Sequence, residues 1–200
     1  MGVTIHQLDL DGNVRVVGSR PDDDFYQTPR WLIRAALRSL EPTFAPKRIL
    51  DPCAGLGVLT TEARAFYKNA WFYEVELDFG RARHLSADDL ISGDFFSAGL
   101  GTFDLIICNP PFNDWARWAE GLQQHRASDG ILMVLGFANH LGGQKRQAFW
   151  KKHPPQRIML SPRRASFTQD GQTDPRDAVW FVWGPETGQP PQFQWLDTAR

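Results

Sequence analysis

The chain has 200 residues, a net charge of −1, and 42% hydrophobic against 22% charged residues, the size and balance of one soluble globular domain. No apolar stretch approaches the roughly 20 residues of a membrane span, and residues 1–6 lack the basic start and apolar segment of a secretory signal. Two cysteines, Cys53 and Cys108, cannot build a disulfide framework, so buried thiols in a reducing bacterial or host cytoplasm are expected. The five histidines show no metal-ligand spacing, and no metal site is read.

Residues 1–24 read as a peripheral extension, with Val3 to Leu10 and Val14 to Val17 flanking the hairpin signal Asp11-Gly12. Thr28-Pro29 predicts a helix start, Thr28 as N-cap and Pro29 in the first turn, and Glu41-Pro42 ends that helix. Strands and helices then alternate. Strands are predicted at 48–50, 71–77, 103–108 and 131–135, and helices at 58–67, 81–90, 114–125 and 143–152. Two last strands, 157–160 and 178–183, are joined by a polar loop without helical signal. The alternation implies an α/β domain over 25–184, its parallel sheet covered by helices on both faces, with an antiparallel hairpin at one edge. The tail 185–200, with Pro190-Pro191, reads as irregular. Between Gly130 and Gln169 stand seven basic residues and no Asp or Glu, which suits a polyanion or simply a solvated face.

The strongest motif closes the apolar run 103–108: Asn109-Pro110-Pro111-Phe112. An amide oxygen and the carbonyl of Pro110 can accept both protons of a planar amine, because Pro111 supplies no competing donor. Phe112 offers a ring face. Asp51-Pro52-Cys53-Ala54-Gly55-Leu56-Gly57 follows the first strand of the alternating region. Gly55 and Gly57 permit a tight turn close to a ligand at a helix start. Asp51 there, and Thr60 where a third glycine would stand, disfavour a pyrophosphate and suit a cationic or amine-bearing ligand. Glu76 is the acid nearest the carboxyl end of the next strand, where an acid holds ribose hydroxyls. Asp94 and Phe95, in Ser92-Gly93-Asp94-Phe95-Phe96, suit an adenine amine and ring. The aromatic stripe Trp115, Trp118, Ala119 and Leu122 falls on one helix face and reads as core.

Glycine turn, ribose acid, Gly-Asp-Phe and Asn-Pro-Pro-Phe, in that order, resemble the S-adenosylmethionine-dependent amino-methyltransferases, above all the DNA adenine-N6 enzymes. Phe25-Tyr26-Gln27-Thr28-Pro29 adds the N-terminal element of the DNA-modifying members. The whole chain is also similar to small methyltransferases of phage and prophage genomes. The resemblance implies a class I methyltransferase fold: a Rossmann-like, seven-stranded, mostly parallel sheet. It implies S-adenosyl-L-methionine held by Tyr26, Gln27, Thr28, Pro29, Asp51, Cys53, Gly55, Gly57, Glu76, Asp94 and Phe95. It assigns catalysis to Asn109, Pro110, Pro111 and Phe112. Phe167 would stack on the far side of a flipped base, or else anchor its loop to the core. Arg163 and Arg164 would hold backbone phosphates.

The implied reaction is methyl transfer to N6 of adenine in DNA. RNA base amines, cytosine-N4, a protein glutamine amide, and a non-catalytic binding module of the same fold are the alternatives. The chain shows no sizeable recognition domain after Trp183. Recognition is therefore expected from residues 1–24, 139–157 and 161–177, or from a partner that supplies specificity.

Overall fold

The computed structural model describes residues 5–8, 14–17, 26–40, 42–167, 173–185 and 189–198, with residues 5–8, 14–17 and Lys145 described in their backbone only. Two short strands, β1 (Ile5–Leu8) and β2 (Val14–Val17), pair antiparallel as the Asp11-Gly12 signal predicts. The connection itself lies outside the described residues.

Helix α1 (Arg30–Arg38) begins one residue later than the cap signal suggests. Pro29, not Thr28, is its N-cap, and the Pro29 carbonyl accepts from the amides of Leu32 at 3.0 Å and Ile33 at 3.3 Å. Thr28 is buried at the edge of a cleft instead. The alternating region follows: β3 (Arg48–Asp51), α2 (Val58–Phe66), β4 (Trp71–Glu76), the single turn α3 (Phe79–Ala82), β5 (Asp89–Ser92), β6 (Phe103–Cys108), α4 (Trp115–Gln123), β7 (Arg126–Phe137), α5 (Gln144–Lys152), β8 (Arg157–Leu160), β9 (Ala178–Trp183) and β10 (Gln192–Trp195).

The main sheet has eight strands in the order β10-β8-β9-β7-β6-β3-β4-β5. All neighbours run parallel except at β9, which is antiparallel to both β7 and β8. The core is the aliphatic run of β6, the second half of β7 and all of β9, buried on both faces as central strands must be. From β3 the chain winds outward to β4 and β5, then returns to place β6 on the other side of β3. That reversal between β3 and β6 opens a crevice at the carboxyl ends of the strands.

Three departures from the sequence expectations have local causes. The helix expected over 81–90 stops after one turn. Asp88 draws the chain to β4: its amide donates to the Phe72 carbonyl at 3.0 Å and its carboxylate accepts the Phe72 amide at 2.8 Å. Residues 89–92 then add an exposed edge strand. The tail is not irregular throughout. The Gln192 amide donates to the Gln156 carbonyl at 2.8 Å, and β10 zips onto β8 to make the sheet eight-stranded, so the β8–β9 hairpin is one strand in from the edge. Finally, β7 starts at Arg126, well before the expected 131, with a register shift against β6 between Phe103 and Leu105.

Candidate functional site

The crevice between the tips of β3, β4 and β6 is lined by three parts of the chain far apart in sequence. These are Tyr26, Gln27 and Thr28 before α1, the turn 52–56 after β3, and Asn109 to Pro111 after β6. Glu76, Asp94 and Phe95 also line it. Of the expected cofactor residues, Pro29, Asp51 and Gly57 stand behind the lining rather than in it.

The turn after β3 depends on its glycines. Gly55 (φ 58°) and Gly57 (φ 70°) are both left-handed, and a Cβ on Gly57 would stand 2.9 Å from the Leu85 side chain. The Gly57 amide closes the turn on the Ala54 carbonyl at 2.8 Å. Gly57 thus serves the entry to α2, while Gly55 presents its backbone to the crevice. The Gly55 amide donates to Glu76 Oε2 at 2.7 Å. Glu76 Oε1 accepts from the Asp78 amide at 2.8 Å and from Arg81 Nε at 3.3 Å. The strand-tip acid is therefore fixed in place by its own surroundings.

Behind this turn the buried Asp51 lies level with the buried Glu74 on the neighbouring strand. One Asp51 oxygen accepts from the Cys53 amide at 3.3 Å, while Oδ2 of Asp51 and Oε2 of Glu74 have no partner among the described residues. Burial, and after it the Glu74 charge, push the Asp51 carboxyl well above the ordinary range; burial likewise raises Glu74. A cation in front of them would draw both carboxyls back toward the charged form, whereas a phosphate would push them further from it. Cys53 Sγ lies 3.4 Å from Cys108 Sγ and 3.3 Å from the Asn109 carbonyl. The Cys108 contact works to lower the Cys53 pKa, but burial and the nearby Asp51 and Glu76 outweigh it, so the group stays a thiol. The two cysteines are neighbours and both are free.

Asn109 is the pivot on the other wall. Its Nδ2 donates to the Tyr26 carbonyl at 2.8 Å. A carbonyl can only accept, so this bond fixes which end of the amide is nitrogen. Asn109 Oδ1 is left buried and without a partner among the described residues. A buried acceptor without a donor is costly, and such atoms mark places that a ligand completes. Phe112 lies outside the lining. It is 7% exposed and packs on Phe137 with ring centroids 4.3 Å apart, Tyr26 at 5.9 Å and Phe167 at 6.0 Å. Phe167 is buried edge-on to Phe112 and Phe137, the position of a loop anchor. Arg163 covers the Trp31 ring at 4.8 Å, and Arg164 stands 3.7 Å from Asp177 at the surface.

Among the lining residues that escape the sequence reading, Trp118 and Arg81 carry the most chemistry. Trp118, expected in the core, is half-buried and stacks on Phe95 at 5.3 Å with planes 18° apart, so the crevice has an aromatic wall. Arg81 reaches the crevice from α3. Asp94 caps the turn at Phe95, accepting from the Phe96 amide at 3.2 Å and from Ser97 Oγ at 3.3 Å.

The fold is shared by solved structures. The fold is that of a class I methyltransferase. A putative class I S-adenosylmethionine-dependent methyltransferase from Listeria monocytogenes aligns over 87% of this chain and 67% of its own, with TM-score 0.62 and 15% identity. The M protein of the type I restriction enzyme EcoKI aligns over 86% of this chain and 46% of its own, with TM-score 0.63 and 18% identity. A putative RNA methyltransferase from Pyrococcus horikoshii aligns over 80% and 86%, with TM-score 0.57 and 17% identity. This chain spans about half the length of the restriction-modification proteins it resembles. No family model and no curated protein matches the sequence. Among the described residues no helix is long and apolar enough to cross a membrane, and no group of three or more His, Cys, Asp or Glu side chains could hold a metal ion.

Proposed function

We propose that this protein is an S-adenosylmethionine-dependent N-methyltransferase acting on the exocyclic N6 of adenine in DNA. The observation that carries the reading is the orphaned oxygen of Asn109, a residue that lines the crevice and whose amide nitrogen is tied to the Tyr26 carbonyl. An acceptor so placed lacks one thing, an N–H donor, and an aromatic amine supplies it. Class I neighbours that include type I restriction-modification subunits support the cofactor and the substrate class.

The residues fit the cofactor. Trp118 and Phe95 offer ring faces to its adenine, Glu76 its ribose acceptor, and Asp51 with Glu74 two buried carboxyls that its cationic end would draw toward the charged form. Bound there, S-adenosylmethionine supplies an electrophilic methyl group on a sulfonium. Asn109 Oδ1 and the Pro110 carbonyl would each accept one amine proton. That grip draws the nitrogen out of conjugation with the ring and turns its lone pair toward the methyl. The same oxygens stabilise the positive charge that develops on nitrogen, and the surplus proton leaves to water. Fixing both partners in line is the larger contribution. An adenine in a duplex must first be extruded, and a ring face on Phe112 or Phe167 offsets part of that cost. Because both rings are buried against Phe137, this role requires the 161–177 loop to move. Arg163 and Arg164 would leave their present partners to hold phosphates, and specificity would come from that loop, from 1–24 and 139–157, or from a partner protein. The protein would work in the cytoplasm.

An RNA base amine is the second reading, favoured by the similarity to the putative archaeal RNA methyltransferase. Transfer of radiolabelled methyl from S-adenosylmethionine to DNA, RNA and protein pools, followed by nucleoside analysis, tests both. N6-methyladenine in DNA is the expected product; label confined to RNA or protein overturns the DNA assignment.

A further inference from the structure

The strand-tip acid Glu76 is 5% exposed and already holds three donors: the Gly55 amide at 2.7 Å on Oε2, the Asp78 amide at 2.8 Å and Arg81 Nε at 3.3 Å on Oε1. A carboxylate offers about four acceptor positions. A ribose gripped through both hydroxyls needs two, and one remains. The two amides belong to the turns that shape the crevice and cannot leave without undoing them. Arg81 is different. It is a side chain on a single helical turn, it lines the crevice, and its guanidinium already stands 3.9 Å from the carboxylate of Asp78, which is half exposed.

We infer that Arg81 is a movable competitor for Glu76, which steadies the carboxylate and swings to Asp78 when the 2′,3′-diol of a nucleoside takes its place. The inference rests on the reading of this crevice as a nucleoside-cofactor site and adds to it a residue that tunes affinity. Arg81 is a positioning residue: it acts through Glu76. Because the pair is partly solvated, its loss shifts binding by no more than about fivefold.

Equilibrium dialysis of the full chain measures affinity for S-adenosylhomocysteine, with adenosine and 2′,3′-dideoxyadenosine as competitors. Arg81→Gln should bind S-adenosylhomocysteine and adenosine about threefold to fivefold more tightly, with no change for the dideoxy compound, which has no diol to compete. Asp78→Asn keeps the helix cap, since Asn caps as well as Asp, but removes the charge that receives Arg81. It should bind the diol-bearing ligands about twofold to threefold more weakly. Weaker or unchanged binding in Arg81→Gln overturns the inference, and so does an equal gain for the dideoxy compound. If the unaltered protein binds none of the three, the nucleoside-site reading itself fails, an outcome distinct from a wrong sign in the variants.

Discussion

At the tip of β4, Glu76 receives three protein donors; two strands away, at the tip of β6, the oxygen of Asn109 receives none among the described residues. Both side chains are held firmly, but by opposite means. Glu76 is fixed through its reactive atoms, so a ligand there must share or displace. Asn109 is fixed through its amide nitrogen, so the oxygen keeps its full capacity for whatever enters. A group that only has to hold a ligand can afford internal partners. One that must strengthen its grip as charge develops is better left without them.

Four substitutions break or sharpen that contrast, in descending order of effect. Asn109→Ala removes the free acceptor and should slow methyl transfer by about 10² to 10³-fold, the usual scale for losing one preorganised polar group. S-adenosylhomocysteine affinity in the same variant should stay within severalfold, and a matching loss of affinity would move Asn109 into the cofactor site. Trp118→Ala strips the aromatic wall on the Glu76 side and should weaken S-adenosylhomocysteine by about tenfold, on the scale of one base stacked on one ring, as calorimetry would read. Glu62→Gln tests the support of the Tyr26 carbonyl. Glu62 is 2% exposed in α2 and pairs with Arg30 at 2.6 Å and with Arg34, at the start and the middle of α1. Because both arginines are half exposed, the loss should be about 1 kcal/mol in urea unfolding, with transfer falling further than cofactor binding.

The smallest effect is a pH slope. His140 sits behind Phe112, 6.3 Å between ring centroids, and its Nδ1 accepts from the Phe137 amide at 3.1 Å. Burial first, then the charges of Arg146 and Arg176, lower its pKa to about 4. The unfolded imidazole takes its proton near 6.5, before the folded one can. Its contribution to stability is therefore whole above pH 6.5 and is lost as the pH falls toward 4. Urea midpoints across that range should fall less steeply in His140→Gln than in the unaltered protein; parallel slopes would remove His140 from the account.

Sequence alone makes the Asn109 side more legible than the Glu76 side. Asn109-Pro110-Pro111-Phe112 is short, rigid and set against an apolar strand that folds over the very residues expected, 103–108. Glu76 is recognisable by its place at a strand tip, but Arg81 is not. Helical periodicity runs on through residues 81–90, whereas the pairing of Asp88 with Phe72 makes an edge strand there. Such a contact is made across the sheet and leaves no local signature. Trp118 departs from its expected place in the core for a similar reason. Trp115, Ala119 and Leu122 on the same face are at most 1% exposed, and Trp118 lies where that face runs out into the crevice. β10 is hidden because Gln192–Trp195 is only four residues long and leaves Phe193 70% and Trp195 69% exposed, so burial gives it no pattern.

The bond from Asn109 to the main chain of Tyr26 ties two tasks to a single latch. Tyr26, Gln27 and Thr28 themselves border the crevice, so the stretch that fixes the amide is also part of the wall. Under the proposed function, any displacement of these residues to exchange the cofactor would also release the amide, and their return would re-aim the oxygen. Reloading and rearming would then be one motion, and a grip on the second molecule would not outlast the stay of the first.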